Sequence, residues 1–182
     1  AALAALAGGA LSLTALPATA QSTPSAAELL DRLGADPSRV IMPDARVSIG
    51  ELKRRRDLRR IAPSADIRSI NFAFGSARIP RREAWKIEEI AIAMKRILRR
   101  RGRELFLIEG HTDAVGSSAA NLRLSQARAN SVAESLAGHG VPWRTMETIG
   151  YGEEDLLVAT QRAEWRNRRV TLRRVTDLVI GY

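Results

Sequence analysis

The 182-residue chain has no cysteine and only two histidines. Disulfides, thiolate metal sites and a lipid-modified N-terminal Cys are therefore excluded from this sequence. His111 and His139 cannot make a His-rich zinc site, and the isolated His111-x-Asp113 spacing is weak grounds for a metal, so none is expected. Aromatic residues are scarce at 4%. A core must then be aliphatic, and base-stacking platforms for single-stranded nucleic acid are few. The chain also lacks a Gly-x-Ser-x-Gly elbow, and no paired carboxylates or base stand beside His111. No enzyme and no cofactor are expected.

What is present is a 45% hydrophobic composition, sufficient for one domain with additional segments but not for two. Residues 1–20, AALAALAGGALSLTALPATA, form an apolar small-residue run ending in Ala18-Thr19-Ala20. This reads as the hydrophobic region and cleavage site of a secretory signal peptide whose charged start is missing, and Gly8-Gly9 and Pro17 argue against a membrane-spanning helix. The expected location is the periplasm or the outer membrane, which makes nucleic acid a poor partner.

The formal charge of +9 is uneven: residues 51–103 hold 17 basic and 6 acidic side chains, a local excess of +11. The runs Lys53 to Arg56, Arg59-Arg60 and Arg99 to Arg103 are either solvated surface or an attachment to anionic lipid or lipopolysaccharide.

Residues 21–65 read as a Pro/Ser-rich and basic linker, partly helical, with one short helix over Ala26 to Leu33 after a cap-like Ser25. From residue 66 to 176 the periodicity is that of a domain. Ile70, Phe72 and Phe74 alternate onto one face of a strand. Ile87, Ile90, Ala91, Met94, Ile97 and Leu98 recur at helical spacing, and Gly102 stops that helix. Leu105-Phe106-Leu107-Ile108 predicts a central strand buried on both faces. A helix over 119–138 packs Leu124, Ala127, Val132 and Leu136. Strands at 146–150 and 169–175 complete the order, with a short helix possible over 159–165 between them, and residues 177–182 form a tail. The fold class is α/β of the α+β sandwich type, β-α-β-α-β-β, with two main helices packed on a small mixed sheet.

Asp113 lies just beyond the central strand and Arg128 about two turns into the following helix, so a strand-loop-helix unit can bring them to one edge. They could simply pair with each other. Gly110-His111-Thr112-Asp113, Gly116-Ser117, Asn121, Leu124-Ser125, Arg128-Ala129 and Val132 resemble the signature of the OmpA-like C-terminal domain. Phe72-Ala73-Phe74-Gly75-Ser76-Ala77, Gly150-Tyr151-Gly152-Glu153 and Asn167-Arg168-Arg169-Val170 extend that resemblance over about 110 residues, in the expected order.

The resemblance implies binding of peptidoglycan through the diaminopimelate of uncrosslinked stem peptides, with Asp113 and Arg128 as direct ligands. A free diaminopimelate end carries an ammonium and a carboxylate on one carbon. A carboxylate suits the first and a guanidinium fork the second. Thr112, Phe74, Gly75 and Leu124 are expected to line or support the pocket. Asn121 is expected to hold the loop and helix start. One of Arg168 and Arg169 is expected to brace the sheet. His111 is expected to orient the loop, while Trp85, Trp143 and Trp165 have no evident role. The chain departs from the best-known members in having neither a barrel nor a lipidated Cys in the sequence at hand, which leaves two alternatives: the basic segment 51–60 as an electrostatic tether, or a soluble protein bound to the wall alone.

Overall fold

The structure is a computed structural model, and it describes residues 23–68, 70, 72–73 and 75–181. The leader expected at 1–20, and Phe74 among the expected pocket residues, lie outside the described residues.

Four strands form one mixed sheet in the order β1-β4-β2-β3: β1 Ser64–Ile67, β2 Phe106–Gly110, β3 Met146–Gly150 and β4 Val170–Arg174. Strand β2 pairs in parallel with β3 and antiparallel with β4, and β4 pairs antiparallel with β1. All five residues of β2 are buried, as the short apolar run between two glycines predicts for a central strand.

Two long helices, α4 (Ala84–Arg101) and α5 (Ser118–Gly138), cover one face together with an N-terminal helix, α1 (Ala26–Gly34). Ile87, Ile90, Met94 and Ile97 from α4 and Val132 and Leu136 from α5 meet Phe106, Ile108, Val170 and Leu172 from the sheet. Fully burying each large aliphatic side chain contributes about 1.5–3 kcal/mol, so this layer is the main source of stability. Gly102 ends α4 in a left-handed conformation (φ 81) that a side chain would strain.

The opposite face carries a smaller core. Leu52 of the short helix α2 (Ile49–Arg54) joins Ala62, Leu105, Leu107, Val175, Leu178 and Val179. Helix α3 (Arg56–Arg59) follows immediately and delivers Arg59 to the same side.

Several expectations change. Within the stretch expected as a linker, residues 23–65 pack as part of the fold instead of standing off, because Leu29, Leu33 and Leu52 are each 0% exposed. Ser25 caps α1 in a reciprocal box with Glu28, and Arg174 Nε and Nη2 donate to Leu33 O and Ala35 O at the helix's other end (2.8 and 2.7 Å). Residues 177–179 of the expected tail are likewise tied in, with Leu178 and Val179 buried and Val47 bridged to Val179.

The first strand lies at Ser64–Ile67, earlier than the Ile70–Phe72 alternation predicts. Ile70 and Phe72 do pack on the helix-side core. They have no ladder, because β4 runs out at Val170, opposite Ile67, and Phe72 N turns back to Ile70 O (3.1 Å). No helix forms over 159–165. Asn167, fully buried, closes that loop instead: its Oδ1 accepts from the Leu157 and Val158 amides (2.8 and 2.9 Å) and its Nδ2 donates to Val158 O (2.9 Å).

Candidate functional site

The loop after β2 and the first turns of α5 meet at the end of the sheet. Their approach depends on glycine. A Cβ on Gly110 would land on the Ser125 carbonyl, and one on Gly150 would land on the Gln126 amide, so only bare backbone lets α5 lie this close to β2 and β3. Ser125 Oγ then accepts from the Gly152 amide (2.8 Å), and Gln126 Oε1 accepts from the Gly150 amide (2.8 Å). Sequence periodicity, which favours Leu124 and Ala127 as the packing face, misses this. The buried positions of α5 include Asn121, Ser125, Arg128 and Ala129, and Leu124 is half-buried.

The loop carrying Asp113 is held by three further ties. His111 N donates to Arg169 O (3.0 Å) and Thr112 N donates to Gly152 O (2.8 Å). Asn121 Nδ2 sits within hydrogen-bond distance of Asp113 O (3.3 Å), Val115 O (3.2 Å) and Glu153 Oε2 (2.6 Å). Ser117 caps α5 by accepting from the Ala120 amide. Glu153, which ends the Gly150-Tyr151-Gly152-Glu153 motif but gains no role from sequence alone, also accepts from Ser118 Oγ (2.6 Å), and these two bonds hold its carboxyl below the usual carboxylate range.

The result is a cleft of about 510 Å3 lined by Asp113 and Arg128 together with Thr112, Asn121, Leu124, Gly75 and Arg168. Every expected pocket residue that lies within the described ones is therefore brought to one place. Asp113 and Arg128 do not neutralise each other. Asp113 Oδ2 instead accepts from Arg168 Nη1 (2.7 Å). Arg128 donates from Nε to Ser76 O (3.0 Å) and rests its guanidinium carbon 4.9 Å from the centre of the Phe72 ring. Among the described residues Arg128 has no ion-pair partner. Burial lowers its pKa, and the neighbouring Arg168 charge adds to that against a smaller opposing pull from Asp113, so an arriving anion would be welcome there.

With Nε committed to Ser76, the end-on pair of Nη groups remains as the fork for a carboxylate. The Arg168 side chain is 46% exposed, so its bond to Asp113 is the exchangeable kind that contributes little. Arg169 is the brace of the basic pair: it is 5% exposed, reaches Asp66 (3.6 Å) and donates to Asp155 O (3.1 Å).

Behind the loop, on the sheet face opposite the long helices, lies a buried ionic cluster that the sequence did not reveal. Glu109, 0% exposed, is flanked by Arg59 Nε (3.0 Å), Arg173 Nε (2.9 Å) and His111 Nε2 (3.6 Å). Arg59 stacks on Tyr151 at 4.1 Å and donates to Lys53 O (2.8 Å), while Tyr151 donates its hydroxyl proton to the same carbonyl (2.6 Å). Burial pushes Glu109 up, but His111 and the two arginines outweigh it and leave the carboxyl below its ordinary value. His111 is held below its ordinary value by its burial. No group of His, Cys, Asp or Glu side chains suited to a metal ion occurs among the described residues.

The basic run at 53–60 is largely committed to the fold. Lys53 pairs with Glu147, Arg55 with Glu51 and Asp57, Arg56 with Asp155, and Arg59 is buried. Only Arg54 and Arg60 of this run lack an ion-pair partner among the described residues. No helix among the described residues is long and apolar enough to cross a membrane.

A small mixed sheet with two long helices on one face and an acid and a guanidinium held apart at a strand-loop-helix edge defines an envelope-type OmpA-like module. The OmpA family model matches residues 71–170, and the chain belongs to that family. Over 66 residues it is 44% identical to outer membrane porin F of Pseudomonas aeruginosa, covering 35% of this chain and 19% of that protein. Over 68 residues it is 41% identical to the peptidoglycan-associated lipoprotein of Haemophilus influenzae, covering 36% of this chain and 44% of that one. The matched stretch is thus less than half the length of either curated relative. Among solved structures, the periplasmic domain of Helicobacter pylori MotB shares the fold, with a TM-score of 0.53, 23% identity, and coverage of 63% of this chain and 76% of that one.

Proposed function

We propose that the protein binds peptidoglycan in the cell envelope, on the periplasmic side, by gripping the free diaminopimelate end of uncrosslinked stem peptides, and that it does so without cleaving the wall. The observation that carries this reading is that Asp113 and Arg128 line one cleft of about 510 Å3 and neither is consumed by the other. Two opposite charges at fixed separation select a zwitterion. The ammonium takes the Asp113 carboxylate, displacing or sharing the half-exposed Arg168. The carboxylate takes the Arg128 Nη pair. The kinship with a peptidoglycan-associated lipoprotein supports the same ligand class. A hydrolytic role is disfavoured because Asp113 is the one carboxylate among the residues that line the cleft, so there is no acid and base pair.

Charge-assisted hydrogen bonds contribute about 1.5–3 kcal/mol each, so a few support micromolar-scale affinity, which suits attachment to a polymer offering many sites. The test is retention on purified sacculi. Asp113→Ala and Arg128→Ala should each weaken retention by about tenfold to a hundredfold, the worth of one such bond. Far-ultraviolet circular dichroism would verify that each variant is folded. Undiminished retention of both folded variants would sink the proposal. Attraction of the basic segment to anionic lipid or lipopolysaccharide is the weaker reading, since most of the 53–60 run is spent on internal ion pairs.

A further inference from the structure

Beside the cleft, and sharing Phe72, Arg128 and Arg168 with it, lies a second cavity of about 120 Å3 whose other walls include Arg68, Arg169, Trp165 and His111. Its charge is unbalanced. Asp66 pairs with Arg68 (3.5 Å) and Arg169 (3.6 Å), and Asp113 with Arg168 (2.7 Å), so two carboxylates pair with three of its four guanidinium groups, Arg169 feels Asp155 and Glu109 as well, and Arg128 has no ion pair among the described residues. Two buried side chains on its wall also hold unused polar atoms. Arg169, 5% exposed, has an Nη1 without a hydrogen-bond partner, and His111, 1% exposed, has none at Nδ1, its Nε2 lying 3.6 Å from Glu109. Buried donors left unmatched are costly unless something fills them. The space holds on the order of one small group and a few waters, at about 30 Å3 per water, and not a sugar ring. Trp165, 45% exposed and without a role in the core, gives the cavity an apolar flank.

We propose that this cavity is a second anion subsite that takes another carboxylate of the same stem peptide whose diaminopimelate end occupies the cleft. The proposal rests on the reading of that cleft. It makes the ligand a stem peptide with at least one further unmodified carboxylate, and it makes amidation of that carboxylate a selectivity filter. A carboxylate of the stem is favoured over an unrelated solute because the two cavities share Arg128 and Arg168, so one ligand spans both.

The experiment is calorimetric titration of the chain with the tripeptide L-alanyl-γ-D-glutamyl-meso-diaminopimelate. It uses the all-free form, the two singly amidated forms and a form amidated at both carboxylates outside the zwitterionic end. The doubly amidated peptide reports the cleft alone. The free peptide should bind about tenfold more tightly, the worth of one charge-assisted contact. Amidation of one particular carboxylate should remove that gain and so identify the group. Arg68→Gln should abolish the gain while leaving the doubly amidated peptide's affinity within twofold. Arg60→Gln, an exposed cation outside the cavity, should leave the gain in place. Equal binding of free and doubly amidated peptides, a gain that survives Arg68→Gln, or an equal loss in Arg60→Gln would each overturn the subsite while leaving the cleft reading intact. No binding by any peptide would remove both.

Discussion

Arg174 offers the sharpest stability prediction, because it fastens a segment whose composition looks like a linker. The side chain is 1% exposed, and Glu104, its buried partner at 3.3 Å, is 4% exposed, so solvent screening offers no discount. Its fork also donates to Leu33 O and Ala35 O at the end of α1, where positive charge complements the helix dipole. The bond to Asp177 (2.8 Å) counts for little, since that carboxylate is 40% exposed. Arg174→Met keeps the length and apolar stem but strands Glu104 with only the Thr176 hydroxyl for company. Breaking a buried pair from one side costs about 3–5 kcal/mol. At about 2–4 °C per kcal/mol for a domain of this size, the melting temperature should fall by roughly 6–20 °C. Urea denaturation gives the free energy directly, and hydrogen exchange should rise first in α1. Arg174→Met/Glu104→Gln should be less unstable than the sum of its parts, because the second change removes the stranded charge. A loss below about 1 kcal/mol for the single variant, or strict additivity in the double, would refute the reasoning.

Other perturbations test other joints. Gly110→Ala should cost about 3 kcal/mol by thermal melt, since the added carbon meets Ser125 backbone that cannot swing aside, and an unchanged melting temperature would contradict the close approach of α5. Acidification should destabilise in two stages. His111 is held below its ordinary 6.5, so the unfolded chain takes up a proton the folded one refuses, and stability falls as pH drops through 6.5. Glu109, also depressed, contributes stability above its ordinary 4.5 that is lost below it. His111→Gln should erase the first stage in a pH series of urea melts and shrink the second without removing it, since Arg173 and Arg59 still hold Glu109 down.

The parts of the fold that the sequence discloses are those whose physics is local. The run Leu105 to Ile108 between two glycines forecasts the central strand, and the spacing of Ile87, Ile90, Met94 and Ile97 forecasts α4, because burial leaves a period in the chain. The alternation of Ile70 and Phe72 correctly forecasts burial but not pairing, which depends on where β4 ends. The cap at Ser25 forecasts helix α1, whereas α2 is too short for periodicity to stand out, and only tertiary contacts reveal that both helices pack into the fold. The ionic cluster is the hardest case. Arg59 sits in a run that looks like solvated surface and Glu109 at the end of an apolar strand. Nothing in either neighbourhood signals that the two meet across 49 intervening positions.

The candidate site was legible because its residues come from a recognisable strand-loop-helix signature, yet what keeps it usable is less visible. An acid and a guanidinium facing one cleft would gain by collapsing onto each other, and here each is diverted: Arg128 by Ser76 O and Phe72, Asp113 by Arg168. Their separation is maintained by the loop, and the loop by Asn121, whose amide is shared among Asp113 O, Val115 O and Glu153. Asn121→Ala removes that tie and no charge. If pre-organisation is what Asn121 supplies, the variant should bind the stem peptide about three- to tenfold more weakly, because ordering the loop must then be done at the moment of binding. The loss should be insensitive to ionic strength, unlike that of Arg128→Ala, since no Coulombic contact to the ligand has changed. Titrations of both variants at low and high salt separate the two effects. A loss in Asn121→Ala that shrinks with salt in parallel with Arg128→Ala would show that the amide acts on the ligand's charge and not on the loop.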